Sequence, residues 1–390
     1  MYIARRRVLS VIGLTALALA SCKRSGGDSG AAKSSGKGSS EIVIGHYASL
    51  TGSTAHFGQD TDKALRLLVQ EVNKAGGVHG KQIKVVTLDT RGDSAEAANA
   101  VSRLIDVEKV QAIIGEVASS LSLAGGRVAQ RRKIPMISPS STNPKVTEIG
   151  DYIFRVCFLD PFQGKVMATF ARNNLKLDKV AILRDVKNDY SIGLADAFKA
   201  AFTGSGGTIA VEQSYSQGDT DFSAQITAIK GTAAQAIFVP GYYSEVGAIA
   251  RTAARLGLKV PLLGGDGWDA PDLVKIGGDA LNGSYFSNHF APDVATPKAQ
   301  KFVADFKAEY GQEPTGLGAL GYDAGGVLVE ALRAGGDASA QALRDKLAAV
   351  KDFEGVTGKI SIDAGRNAQK SAVVLKIENG RPRYEATIAP

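Results

Sequence analysis

The chain has two cysteines, four histidines and one tryptophan in 390 residues. Cysteines as far apart as Cys22 and Cys157 supply neither a disulfide framework nor a thiolate metal site. His46, His56, His79 and His289 show no metal-ligand spacing and are expected as structural or exposed side chains. There is no Gly-x-Ser-x-Gly elbow, no His-Glu-x-x-His helix and no Gly-x-x-x-x-Gly-Lys-Ser/Thr loop. The signatures of serine hydrolases, zinc proteases and P-loop nucleotide binding are therefore missing. Carboxylate pairs such as Asp266 and Asp269 exist, but nothing marks an acid and a base, so no catalysis and no cofactor are expected.

Charge of one sign is scarce beyond the start of the chain. The net charge is +7, but residues 1–40 hold Arg5, Arg6, Arg7, Lys23, Arg24, Lys33 and Lys37 against Asp28 alone. From totals of 46 basic and 39 acidic groups, this leaves 39 against 38 for the rest. No basic stripe remains to follow phosphates, so a nucleic-acid partner is not expected. Long apolar runs are missing too: Val8 to Ala20 spans thirteen residues, short of the ~18–20 of a permanent membrane helix.

After the basic Arg5–Arg7, that run suits a signal peptide. Its end, Leu19-Ala20-Ser21-Cys22, resembles the lipobox of bacterial lipoproteins, which implies lipidation at Cys22. Ordinary secretion and twin-arginine export through Arg5-Arg6 are the alternatives. Residues 1–22 are thus expected to be a leader, and the Gly-, Ser- and Lys-rich 23–40 a flexible tether.

From Glu41 onward, short apolar runs alternate with longer amphipathic ones. EIVIGHYASL reads as a strand and Gln59 to Lys74 as a helix; QIKVVTLDT, VQAIIGE, IPMISPS and YIFRVCF follow as strands. The rhythm restarts at Pro161 with KVAILRD, TIAVEQSYS, AQAIFVPG and VPLLGGD between helices. Such repeats predict α/β architecture, with parallel sheets, right-handed crossovers and helices on both faces. Two sets predict two lobes, with no Pro-, Gly- or Ser-rich linker between them. The terminal helices and strands are too few for a third domain and are expected to complete both lobes.

Ligands of open parallel sheets bind beyond the carboxyl ends of strands. There the first half offers small hydroxyls: Ser119 and Ser120 after IIGEV, then Ser140, Ser141 and Thr142 after PMISP. The second half offers Tyr190, Tyr242 and Trp268 with the carboxylate of Asp266, and Phe57 follows the first strand. Hydroxyls at a helix start are commonly N-caps, and together they also make an anion site with the helix dipole. Asp266 in GGDG fits a turn as well as a ligand role.

The stretches GHYASLTGSTAHFGQDTDKALRLLVQEVNKAGGVHGKQIKVV, VQAIIGEVASS, KIPMISPSSTNP, VPGYYSEVGAIARTAARLGL and LLGGDGW resemble the leucine/isoleucine/valine-binding proteins. These are substrate-binding proteins of branched-chain amino-acid ABC importers. The resemblance implies the type I periplasmic binding protein fold, a flytrap of two Rossmann-like lobes joined by three hinge crossovers. It places residues 41–159 with 290–355 in lobe 1 and 160–289 with 356–390 in lobe 2. It implies a ligand carboxylate held by Ser119 and Thr142, aided by backbone amides, with Ser141 a further ligand-binding candidate. The ammonium would meet the Ser140 carbonyl and Asp266, with Phe57, Tyr190 and Tyr242 as walls. Family members studied in detail carry glutamate where Asp266 stands, Trp268 adds bulk beside it, and their paired cysteines are replaced near Gly92 and Ala118. The expected partners are an amino acid, the transmembrane subunits of a permease, and a membrane through the anchor of a monomeric protein. An amide, urea or aromatic acid as ligand, a sensor role and a secreted enzyme are the competing readings.

Overall fold

The computed structural model of the protein describes residues 41–294, 296–335 and 339–389. The expected leader 1–22 with its lipidation residue Cys22, and the tether 23–40, lie outside the described residues. The chain begins with β1 (Glu41–Ala48), α1 (Ala55–Lys74), β2 (Gln82–Asp89), α2 (Ser94–Asp106), β3 (Ala112–Ile114), α3 (Ser119–Arg132), β4 (Met136–Ser138), α4 (Lys145–Glu148) and β5 (Ile153–Arg155). Next come α5 (Asp160–Asn173), β6 (Lys179–Asp185), α6 (Asp189–Gly204), β7 (Thr208–Tyr215), α7 (Ser223–Lys230), β8 (Ala236–Phe238), α8 (Tyr243–Arg255), β9 (Leu262–Gly264), α9 (Pro271–Gly277) and β10 (Tyr285–Asn288). It ends with α10 (Pro297–Tyr310), α11 (Gly316–Arg333), α12 (Ala340–Ala348), β11 (Phe353–Gly355), β12 (Gly358–Ile360), β13 (Ala372–Glu378) and β14 (Arg381–Ile388).

Two sheets result. The first, ordered β2-β1-β3-β4-β5, is parallel throughout. The second runs β14-β13-β10-β9-β8-β6-β7, with β13 and β14 added antiparallel at one edge. Inner strands such as β3, β4, β8 and β9 are buried on both faces, as crossover helices require, and so read as unbroken apolar runs. Their ladders are three residues long because the chain leaves the sheet early to form the loops at its carboxyl edge.

The chain crosses from the first sheet to the second after β5, leaves it after β10, and rejoins it at β13. Between the last two crossings, α11 packs against α1. A row of glycines on α11 permits this. A Cβ at Gly318, Gly321 or Gly325 would stand 2.4 Å from Asp60 Oδ2, 2.7 Å from Thr61 Cγ2 and 2.5 Å from Leu68 Cδ2. The third crossing is fixed by Asp323, which is buried and accepts from the backbone of Val356 (2.7 Å) and Thr357 (2.9 Å). Buried Lys370 approaches the same Thr357 through its hydroxyl, and burial pushes the lysine down to about 8. No helix among the described residues is long and apolar enough to cross a membrane.

Candidate ligand-binding site

Loops from both sheets meet at their carboxyl edges around one cavity. Phe57 comes from the first turn of α1, Val117 and Ser119 follow β3, and Ser140 follows β4. From the other sheet come Tyr190 at the start of α6, Tyr242 after β8, and Asp266 with Gly267 after β9; Leu317 at the start of α11 completes the lining. The cavity enclosed between them has a volume of about 10 Å³. That is room for about one water molecule, so a larger ligand requires the two walls to part.

The first-lobe wall is polar. Helix α3 starts at Ser119, behind Ala118, and no side chain caps it, so its first N–H groups are left for another acceptor. None of these hydroxyls therefore caps α3 itself. Ser119 is buried, and its Oγ accepts from the Asn143 amide at 3.3 Å. The Ser140 hydroxyl is buried with no hydrogen-bond partner. Ser120 reaches the opposite lobe, donating to Asp189 Oδ2 (2.9 Å) while accepting from the Asp189 amide (3.0 Å). Ser122 turns inward onto the Glu116 carbonyl (2.9 Å).

The second-lobe wall is aromatic and acidic. Tyr190 and Tyr242 stack with centroids 5.4 Å apart, and Phe57 meets Tyr242 edge-on at 5.5 Å. Burial raises both phenols above their ordinary range, so they are neutral walls. Asp266 is buried in a short 3₁₀ turn, Asp266–Trp268. Its Oδ1 accepts from Gln163 Nε2 (2.8 Å), and its Oδ2 faces His289 Nε2 (3.0 Å).

Six of the expected residues thus surround one space: Phe57, Ser119, Ser140, Tyr190, Tyr242 and Asp266. Three do not line it. The Ser141 hydroxyl is occupied beneath the site, 2.9 Å from the Val117 carbonyl, 3.0 Å from that of Glu116 and 2.7 Å from Ser122 Oγ. Thr142 lies deeper, beside Asp160. Its hydroxyl favours the charged form of that carboxyl, yet neither side chain completes a hydrogen bond of normal geometry. Trp268 is fully buried in the second core, donating its indole N–H to the Val239 carbonyl (3.0 Å) and packing over Gly264. Its bulk is directed away from the cavity.

The glycines of GGDG are there for packing more than for turning. A Cβ at Gly264 would strike the Trp268 indole at 2.1 Å, and one at Gly265 would meet the Tyr190 hydroxyl at 2.5 Å. Sequence reasoning passes over Val117, Leu317, Gln163 and His289, since none belongs to a polar loop signal. It also passes over Asp160, whose carboxyl burial and nearby Asp266 push up to about 8 against the opposing pull of Thr142 and Arg155. Among the described residues, no group of three His, Cys, Asp or Glu side chains could hold a metal ion.

A family model described as periplasmic binding protein matches residues 41–381. The Leu/Ile/Val-binding protein BraC3 of Rhizobium johnstonii is 30% identical over 87% of this chain and 93% of its own. The solved leucine binding protein LivK of Thermotoga maritima is 42% identical, covering 90% of this chain and 99% of its own with a TM-score of 0.86. LivJ of Streptococcus pneumoniae, a branched-chain amino acid transporter substrate binding protein solved in complex with isoleucine, is 36% identical. It covers 89% of this chain and 98% of its own, with a TM-score of 0.84. On this match and on its two-lobed α/β fold, the chain belongs to the periplasmic binding protein family.

Proposed function

We propose that the protein is the substrate-binding component of an ABC importer and takes an apolar α-amino acid, leucine or isoleucine among them, into the cavity between its lobes. The observation that carries this reading is the opposition of two walls. The uncapped start of α3 with Ser119 and Ser140 faces the buried carboxylate of Asp266 across a small space lined by Val117, Leu317, Phe57 and tyrosines. A zwitterion loses several kcal/mol per charge on burial unless both ends are paired. Neutral N–H and O–H donors suit the carboxylate, Asp266 suits the ammonium, and the apolar lining suits an aliphatic side chain. A ligand bridging the walls binds the closed arrangement best and shifts the population toward it. The two moving bodies are residues 41–159 with 290–355 and residues 160–289 with 356–390. The protein works as an extracytoplasmic monomer anchored through lipid on Cys22, handing its ligand to the permease.

The test is a thermal-shift screen of ligand-stripped protein against the amino acids, amides and aromatic acids. Leucine or isoleucine should raise the melting temperature. A rise with an aromatic acid and with no α-amino acid overturns the reading. Asp266→Ala should weaken leucine binding on the order of a hundredfold, because it leaves the buried ammonium unpaired. Calorimetry returning an unchanged Kd would remove Asp266 from the site.

A further inference from the structure

Asp266 does not stand alone in its wall. Gln163 reaches it from the first turn of α5, just past the first crossing between the sheets, and His289 reaches it from the end of β10, where the second crossing begins. The two donors take different oxygens, Oδ1 and Oδ2, and all three side chains are buried. We propose that Gln163 and His289 are positioning residues for ammonium recognition: they clamp the short Asp266 carboxylate in one orientation and so give the site its selectivity for a cationic ligand group. This rests on the amino-acid reading above and goes beyond it.

Several features of the local build agree. Gly265 leaves the space through which Gln163 approaches: a Cβ there would stand 2.8 Å from Gln163 Nε2. His289 is held flat on Phe158, with ring centroids 3.7 Å apart and planes 26° apart, so its Nε2 has one direction. A carboxylate only accepts, so Nε2 carries the proton and Nδ1 is left as an acceptor. Nδ1 is indeed buried without a donor near it. Burial holds His289 below its ordinary range against the pull of Asp266, with Lys370 acting in the same direction as burial, which keeps the ring neutral. A neutral donor orients Asp266 without cancelling its charge, and each carboxylate oxygen keeps acceptor capacity for a donor in the cavity that Asp266 lines. A freely rotating aspartate, one methylene shorter than glutamate, would lack that fixed direction.

The test measures Kd for L-leucine and for 4-methylpentanoate, which has the same carbon chain and carboxylate without the ammonium. The proteins are wild type, Gln163→Met, His289→Leu and His289→Gln. Gln163→Met and His289→Leu should each weaken leucine binding roughly tenfold or more while leaving 4-methylpentanoate within about threefold. The selectivity ratio should therefore fall, and His289→Gln, which keeps an N–H of similar reach, should restore most of it. A merely structural role would lower both affinities in parallel, together with the melting temperature, and that outcome overturns the proposal. Wild-type leucine binding with unchanged ratios in the variants overturns it alone. A wild-type protein that binds no amino acid overturns the amino-acid reading and this inference with it.

Discussion

Asp160 and Asp266 are two buried carboxyls with different surroundings. Asp266 receives two N–H donors, whereas Asp160 has none in good geometry, and burial pushes it up to about 8. In the unfolded chain an aspartate ionises near pH ~4. Between that pH and about 8 the folded state holds a proton that the unfolded state has released, so stability falls as pH rises through this window. Asp160→Asn should remove the slope: its melting temperature should gain on wild type progressively from pH 5 to pH 8. A difference that does not change with pH in scanning fluorimetry would refute this. Ser141 belongs to the same scale. Its hydroxyl ties the loops after β3 and β4 together, so Ser141→Ala should lower stability by about 1–3 kcal/mol in urea titrations. A loss of ligand affinity with unchanged stability would contradict that placement. The sequence alone could show the hydroxyl-rich loops but not how their neighbours divide. Ser119 lines the cavity, Ser120 bonds Asp189 of the other lobe and Ser141 holds the backbone beneath, a division set by contacts up to 69 residues away.

Among the elements, strongly patterned segments were legible from periodicity: KVAILRD is β6 residue for residue, and α1 ends at Lys74 as its pattern predicts. The start of α1 was not. The pattern predicts Gln59, whereas the helix begins at Ala55, because Phe57 packs edge-on against Tyr242 and Tyr243 and Gly58 lies under the Ser49 carbonyl. Tertiary packing here overrides the weak helix propensity of that stretch. Strand β10, YFSN, lacks an apolar run and gains its place from pairing with β9 and β13 on either side. Glycines divide by packing in the same way. Gly321 of α11 lies against Thr61, whose backbone oxygen would be 3.0 Å from an added Cβ, while Gly204 at the end of α6 has nothing within 4 Å. Gly321→Val should therefore cost about 1–3 kcal/mol through overpacking. Gly204→Ala should instead gain a few tenths to about 1 kcal/mol. Equal effects at the two positions in denaturant melts would disprove this account of the α1–α11 contact.

For the whole molecule, direct contacts between the lobes hold the closed arrangement, among them the Gly316 amide donating to Asp269 Oδ2 at 2.6 Å and the ring contact of Phe57 with Tyr242. Asp189 is bound to Ser120, its carbonyl accepts from Asn143 Nδ2 at 2.7 Å, and the His56 amide points to the Tyr243 hydroxyl at 3.4 Å. Asp189→Ala removes the charge-assisted bond to Ser120 and should weaken leucine affinity roughly tenfold through a lower closed population. Solution scattering of the ligand-free variant should show a larger radius than wild type. Unchanged scattering together with unchanged affinity would show that the contact does not govern closure. The two-lobed plan itself was legible, because alternating strands and helices restart midway through the chain. How far each lobe depends on the other was not, since α10–α12 and β13–β14 return from the far end of the sequence.

The pairing of Ser120 with Asp189 also sets the first turn of α3 against the first turn of α6. A helix start carries roughly half a positive charge, so two such ends repel as they approach. The Asp189 carboxylate sits at this junction and offsets part of that repulsion. An amino-acid carboxylate received at Ser119 would bring a second anion to the same end of α3. A ligand so placed would serve as a counter-ion as well as a bridge between walls. Charges held this close in a buried cleft are screened little by dissolved salt, so the hold on a molecule that carries no net charge should persist at high ionic strength.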